Sequence, residues 1–336
     1  MTFLADVNRQ SKVKKPLLSF ILVLIAAISF AQAKKISPAD LKILQKKEDS
    51  LKVYAKDLVT DSLPNNRMRS DSFFTKVLIR SFLVKNSFYY PFDSVKGVST
   101  LYAPDSSFRI MTWSLTYNED LCQQRGVIQF PTRDGSPRFV PLYDYSTRTP
   151  YPEDSIRDHK HWIGAIYYNI IQTKFNNRSY YTLFGYDPNN PFTNKKWIEV
   201  LTFDQNQMPL FGGKYFSYAK DTAKRADQFR YSIEYKKQAS ATVDYDPDLK
   251  LILVDHLISE SDEPDLPQTF VPDGDYEGFK WTDGKWLHVD KVFDQKLEDG
   301  EAPVPDPIRD AKGNTNEERL QQQSDKNKEK KKGITE

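Results

Sequence analysis

Apolar residues recur along the first part of the chain with the spacing of a helix. Leu41, Leu44, Leu51, Ala55 and Leu58 are separated by three, four or seven positions and form one stripe over about six turns. Ser37 suits the N-cap, Pro38 the first helical position and Asp40 the positive helix end. Leu63-Pro64-Asn65-Asn66 breaks the pattern. A second helix is expected from a cap near Ser70 and Asp71, with Phe74, Val77, Leu78 and Phe82 on one face. Together they predict an αα-hairpin over 34–86. Neither stripe can stay wet, so each packs on the other or on the next domain. The alternative, a partner-binding coiled coil, is weakened by the short stripe and by Glu48 within it.

From about Ser87 the period changes to two. Phe108, Ile110 and Thr112 alternate with Arg109, Met111 and Trp113. Three pairs of apolar runs flank turn dipeptides: Asp134-Gly135, Asn176-Asn177 and Asp283-Gly284. Further runs at Lys196–Phe203, Tyr215–Tyr218, Phe229–Tyr235, Ala241–Tyr245 and Leu249–Leu257 continue the series. Short loops and the lack of βαβ spacing predict an antiparallel meander over 87–298, closed as a barrel, stacked as a sandwich or fanned as propeller-like sheets. The expected fold class is therefore mainly β with an N-terminal α-helical hairpin.

The chain ends read differently. Lys12, Lys14 and Lys15 precede an uncharged run from Pro16 to Phe30 and then Ala31-Gln32-Ala33. A basic region, an apolar run of about fifteen residues and a small-x-small site predict a signal peptide over 1–33. The run is shorter than the roughly 20 residues a membrane-spanning helix needs, so no transmembrane span is expected after cleavage. Residues 1–12 ahead of it read as a start-site artefact, with translation beginning at Val13. At the other end, 299–336 reads as a Pro-rich linker, Glu301 to Pro307, followed by a charged, disordered tail.

Charge narrows the function classes. The chain carries 48 Lys+Arg and 46 Asp+Glu, and removing 1–33 takes away Arg9, Lys12, Lys14, Lys15 and Asp6. The near-neutral remainder argues against a nucleic-acid partner. A single cysteine, Cys122, excludes an internal disulfide and reads as a small buried apolar residue.

Candidate chemistry is sparse. His159 and His161, two apart, would share one face of a strand and form a zinc pair, with Asp158 adjacent. The bland reading, polar residues opening a strand before Trp162, is favoured. Asp244, Asp246 and Asp248 alternate through a turn like a calcium loop, but Leu249 takes the glycine place and Asp255 the glutamate place of an EF-hand. A Pro-assisted turn accounts for them equally well. Acidic residues from Asp262 to Glu277 could serve calcium or paired-carboxylate hydrolysis, and no single pair stands out. No cofactor is predicted beyond calcium or zinc at these positions. No Gly-x-Ser-x-Gly motif is present. Trp113, Trp162, Trp197, Trp281 and Trp286 would suit stacking on sugar rings, although core packing is the prior for each.

Ser87-Phe88-Tyr89-Tyr90-Pro91-Phe92-Asp93-Ser94, Ala103-Pro104-Asp105, Phe108 to Trp113, and Phe270-Val271-Pro272-Asp273-Gly274-Asp275-Tyr276-Glu277-Gly278-Phe279 resemble exported proteins of unknown function from Bacteroidetes-type bacteria. The resemblance implies a periplasmic, outer-surface or secreted location and carries no catalytic residue across. The expectation is an exported, non-catalytic structural or binding protein with a glycan or envelope-protein partner. The alternative is a secreted hydrolase using loop carboxylates or a metal.

Overall fold

The computed structural model describes residues 36–118, 121–222 and 225–293. The segments read from the sequence as a signal peptide, 1–33, and as a linker and tail, 299–336, lie outside the described residues. All the described helices and strands fall in one unit that ends at Val292.

Helix α1 runs Pro38–Thr60, and the Ser37 hydroxyl accepts from the Asp40 N–H at 3.1 Å as its cap. Helix α2 runs Pro64–Phe82, starting six residues before the expected cap. Pro64 needs no N–H partner in the first turn, and the Asp61 carboxylate takes the Leu63 N–H at 2.8 Å. Ser70 and Asp71 are buried inside α2 instead. Asp71 accepts from the Trp113 indole at 2.9 Å and lies 3.3 Å from Arg125. Glu48, which interrupts the α1 stripe, is buried too; it takes the Tyr90 hydroxyl and the Ser94 N–H.

The β region forms three sheets. In the first, β1 (Ser99–Tyr102), β2 (Arg109–Thr116), β3 (Cys122–Gln129) and β4 (Phe139–Tyr143) make an antiparallel meander. The second sheet has the order β5-β9-β8-β7-β6. It contains β5 (Arg157–Asp158), β6 (Ile166–Phe175), β7 (Arg178–Asp187), β8 (Thr193–Phe203) and β9 (Pro209–Phe211), and β11 (Arg230–Lys236) also pairs with β8. The third has the order β10-β15-β14-β13-β12, from β10 (Phe216–Ser217), β12 (Val243–Asp246), β13 (Leu251–Ser259), β14 (Phe270–Thr282) and β15 (Lys285–Val289).

Strand alternation stacks these pieces into layers. Met111, Trp113 and Val127 face the helical hairpin, among Leu51, Phe74 and Phe82. Ile110, Ile128 and Leu142 face the other way, onto Tyr181, Leu183, Trp197 and Leu201 of the second sheet. That sheet turns Phe184, Ile198 and Val200 towards Ile252, Phe279 and Trp286 of the third. The two sheet-on-sheet interfaces are sandwich packings, and none of the sheets closes into a barrel. Each fully buried Leu, Ile or Phe contributes about 1.5–3 kcal/mol.

Two expected hairpins close as anticipated. Asn176 and Asn177 have φ of +47° and +59°, and Asp283 and Gly284 have +50° and +82°, the left-handed geometry of a type I′ turn. The meander departs from sequence order at β10, which pairs parallel with β15, and at β8, where β9 and β11 divide one edge. Among the described residues no helix is long and apolar enough to cross a membrane.

Candidate functional site

A cavity of about 250 Å³ opens between the first and second sheets. Gln124 and Cys122 on β3 meet Asp187 at the end of β7 and Trp197 on β8. Gln124 joins two carboxylates. Its backbone N–H donates to Asp144 at 2.8 Å, and its side-chain amide donates to Asp187 at 3.0 Å.

The carboxylates have different surroundings. Asp144 also takes the Ser146 N–H at 2.8 Å, and Gly164 packs directly over it. A Cβ on Gly164, whose φ is +72°, would stand 2.6 Å from the Asp144 carboxyl carbon. Asp187 lines the cavity and takes the Asn189 N–H at 2.9 Å on the same oxygen that Gln124 bonds. Burial raises the pKa of both groups. The charge of Asp144 adds to the rise at Asp187, while Lys195 and the hydrogen bonds oppose it.

Both walls are clamped from behind. The Pro188–Phe192 turn is one wall, and Glu234 on β11 holds it. One Glu234 oxygen takes the Asn189 amide at 2.9 Å and the Thr193 hydroxyl at 2.7 Å, and the other pairs with Lys195 at 3.0 Å. Lys237 adds a bond to the Pro188 carbonyl at 2.7 Å. The segment from Ser146 to Ser155 is the other wall. Arg230, fully buried, donates to the Pro152 and Ser155 carbonyls and pairs with buried Glu199 at 3.0 Å. Gly212 leaves room for that guanidinium; a Cβ there would lie 2.7 Å from Arg230 Nη2. Such support fixes a site's shape before anything enters it. Trp197 is only 4 % exposed, and its indole N–H has no hydrogen-bond partner among the described residues.

Of the residues singled out in the sequence, Trp197 and Cys122 line the cavity, Cys122 half-buried rather than buried; the candidate metal ligands lie elsewhere. His159 and His161 follow β5 in a turn, not on a strand, so two-residue spacing no longer places them on one face. His159 Nδ1 lies 3.0 Å from the Pro141 carbonyl, and His161 Nδ1 lies 2.8 Å from Asp158. His256 bonds Asp273, and His288 bonds Asp221 and Glu277. Asp246 takes the Asp248 and Leu249 N–H groups at 2.8 and 2.9 Å, the turn geometry of the bland reading. Asp244 takes the Asn169 amide at 2.6 Å. Among the described residues no three His, Cys, Asp or Glu side chains are grouped to hold a metal ion. Trp113, Trp162, Trp197 and Trp286 are buried, so they offer no exposed row of rings.

No family model, curated protein or solved structure matches this chain.

Proposed function

We propose that this chain is an exported, non-catalytic binding protein of the periplasm or cell surface, and that the cavity at Asp187 is its ligand site. The observation that carries this reading is the cavity itself, one half-buried carboxylate between two walls clamped by Glu234 and Arg230. Preformed, part-apolar cavities with a few placed polar groups are where small ligands bind. The basic, apolar and small-x-small order at the chain start supports export.

The hydrolase reading draws on the Asp144/Asp187 pair. Glycoside hydrolysis by paired carboxylates needs both groups to flank one bond. Asp187 lines the cavity and Asp144 is packed beneath Gly164, an arrangement that supports binding over turnover.

Two measurements test the proposal. N-terminal sequencing of the protein recovered from the exported fraction should begin at Lys34; recovery in the cytoplasm with its leader intact would contradict export. The exported protein should also retain an intact small compound from a soluble cell-wall digest, identified by mass spectrometry after gel filtration. Steady conversion of a compound to products would favour the hydrolase.

A further inference from the structure

The charges around the cavity do not balance. Lys195 is paired with Glu234 at 3.0 Å, and Arg125 with Asp71 at 3.3 Å. The two cations nearest the carboxylates are thus already engaged. Asp144 and Asp187 receive hydrogen bonds from neutral groups, the Gln124 backbone and the Ser146 backbone and hydroxyl at Asp144, and the Gln124 amide and the Asn189 backbone at Asp187. Both bonds to Asp187 fall on Oδ1. Both carboxylates are half-buried and neither forms an ion pair among the described residues, although Lys195, held by Glu234, also lines the cavity; a cation brought into contact with Asp187 offsets what its partial burial costs.

The rest of the cavity limits what the cation can be. Leu121, Pro150, Pro152, Ile163 and the Trp197 ring supply apolar wall. Among the described residues, three or more acidic, His or Cys side chains are not grouped there for a metal ion. An ammonium on a short apolar skeleton fits both halves: its N–H groups reach the Asp187 carboxylate and its carbons lie against the apolar wall.

We propose that the cavity takes a small cationic amine, with its ammonium on Asp187 and its carbon skeleton against Ile163, Pro152 and Trp197. This deepens the binding reading above and rests on it.

Cys122 provides the readout. It is the chain's only cysteine and it lines the cavity, so an occupant shields it. The rate of Cys122 modification by methyl methanethiosulfonate, a neutral reagent, is measured alone and with n-butylamine, n-butanol or butyrate at equal concentration and ionic strength. The expected result is a several-fold slowing by n-butylamine, none by the other two, and loss of the effect in Asp187→Asn. Melting temperatures of the same mixtures give a second readout independent of thiol access, with a rise for the amine alone. Equal effects of amine and alcohol, or a larger effect of butyrate, would overturn the amine and leave the cavity standing as a binding site. No effect of any probe in either measurement would overturn the binding site itself.

Discussion

The side-chain amide of Gln124 donates to the Asp187 carboxylate at 3.0 Å, while the backbone N–H of Gln124 serves Asp144. One residue of β3 thus fixes two half-buried carboxylates, and the cavity receives one of them. A partly buried acid without an ion-pair partner lowers stability when it ionises.

Asp187→Asn follows from that relationship. The folded-state pKa of Asp187 is raised, by burial first and the Asp144 charge second. The folded chain therefore holds the proton more tightly than the unfolded chain. The associated stability is present below the unfolded value and lost as pH rises through the folded one. Asparagine keeps the oxygen that accepts from Gln124 and Asn189 and removes the charge. Urea unfolding at pH 7.5 should show the variant more stable by roughly 0.5–2 kcal/mol, and the two proteins should converge towards pH 4. A variant less stable at pH 7.5 would contradict this.

His288 sets a pH window of the opposite kind to a buried neutral imidazole. Its side chain is buried, which disfavours charge, yet Glu277 at 3.0 Å and Asp221 at 2.9 Å outweigh burial and raise its pKa. Its contribution is complete below the unfolded value and disappears as pH rises through the folded one. Glu277 is half-buried, which works against its charge, but His288 and Tyr231 hold its pKa down, so its contribution is lost as pH falls through the folded value. The stability difference between the wild type and His288→Gln should therefore be largest between about pH 5 and 6.5 and shrink on both sides. A difference that grows steadily to pH 9 would count against the pairing.

Glu199 and Arg230 are both fully buried. Removing one partner leaves an uncompensated charge, so Glu199→Gln should cost about 3–5 kcal/mol. Arg230→Lys keeps a charge for Glu199 but loses the fork that reaches the Pro152, Ser155 and Phe211 carbonyls. Amide hydrogen exchange over 146–155 should accelerate in that variant, and n-butylamine should bind more weakly although Arg230 does not line the cavity. Unchanged exchange there would show that the wall does not depend on Arg230.

Arg109 is buried without a carboxylate. It donates to the Gln129 side chain, the Tyr102 hydroxyl and the Ser87 and Tyr90 carbonyls, and it lies within 5.1–5.8 Å of the Phe82, Phe88, Phe92 and Tyr102 rings. Arg109→Met conserves much of the volume but strands those carbonyls, and should cost roughly 2–5 kcal/mol in denaturant unfolding. A loss below about 0.5 kcal/mol, the scale of an ordinary surface change, would show that the acceptors find other partners.

Local pattern carried much of this fold. The α1 stripe is buried at Leu44, Leu51, Ala55 and Leu58, with Leu41 left at the edge. The Asn176-Asn177 and Asp283-Gly284 turns sit where their backbone preference puts them. Short strands such as β5 and β9 were not legible, because two or three residues show no period and are fixed by their neighbours. The parallel β10–β15 pair joins segments nearly seventy residues apart, beyond the reach of any local signal. The cavity was hidden for the same reason. Cys122, Gln124, Asp187 and Trp197 come from three strands, and the one local hint is Asp187-Pro188-Asn189-Asn190-Pro191, a dense turn directly after a strand. His159 and His161 have the spacing of a metal pair on a strand, but they lie in a turn, where their imidazoles meet the Pro141 carbonyl and Asp158 instead.

The most direct test follows the buried indole N–H of Trp197 on the cavity wall by nitrogen–proton correlation spectroscopy, with its resonance assigned by its loss in Trp197→Phe. Titration with n-butylamine should shift that resonance saturably in the wild type and leave it in place in Asp187→Asn. The same shift in both proteins, or no shift in either, would contradict an amine site at Asp187.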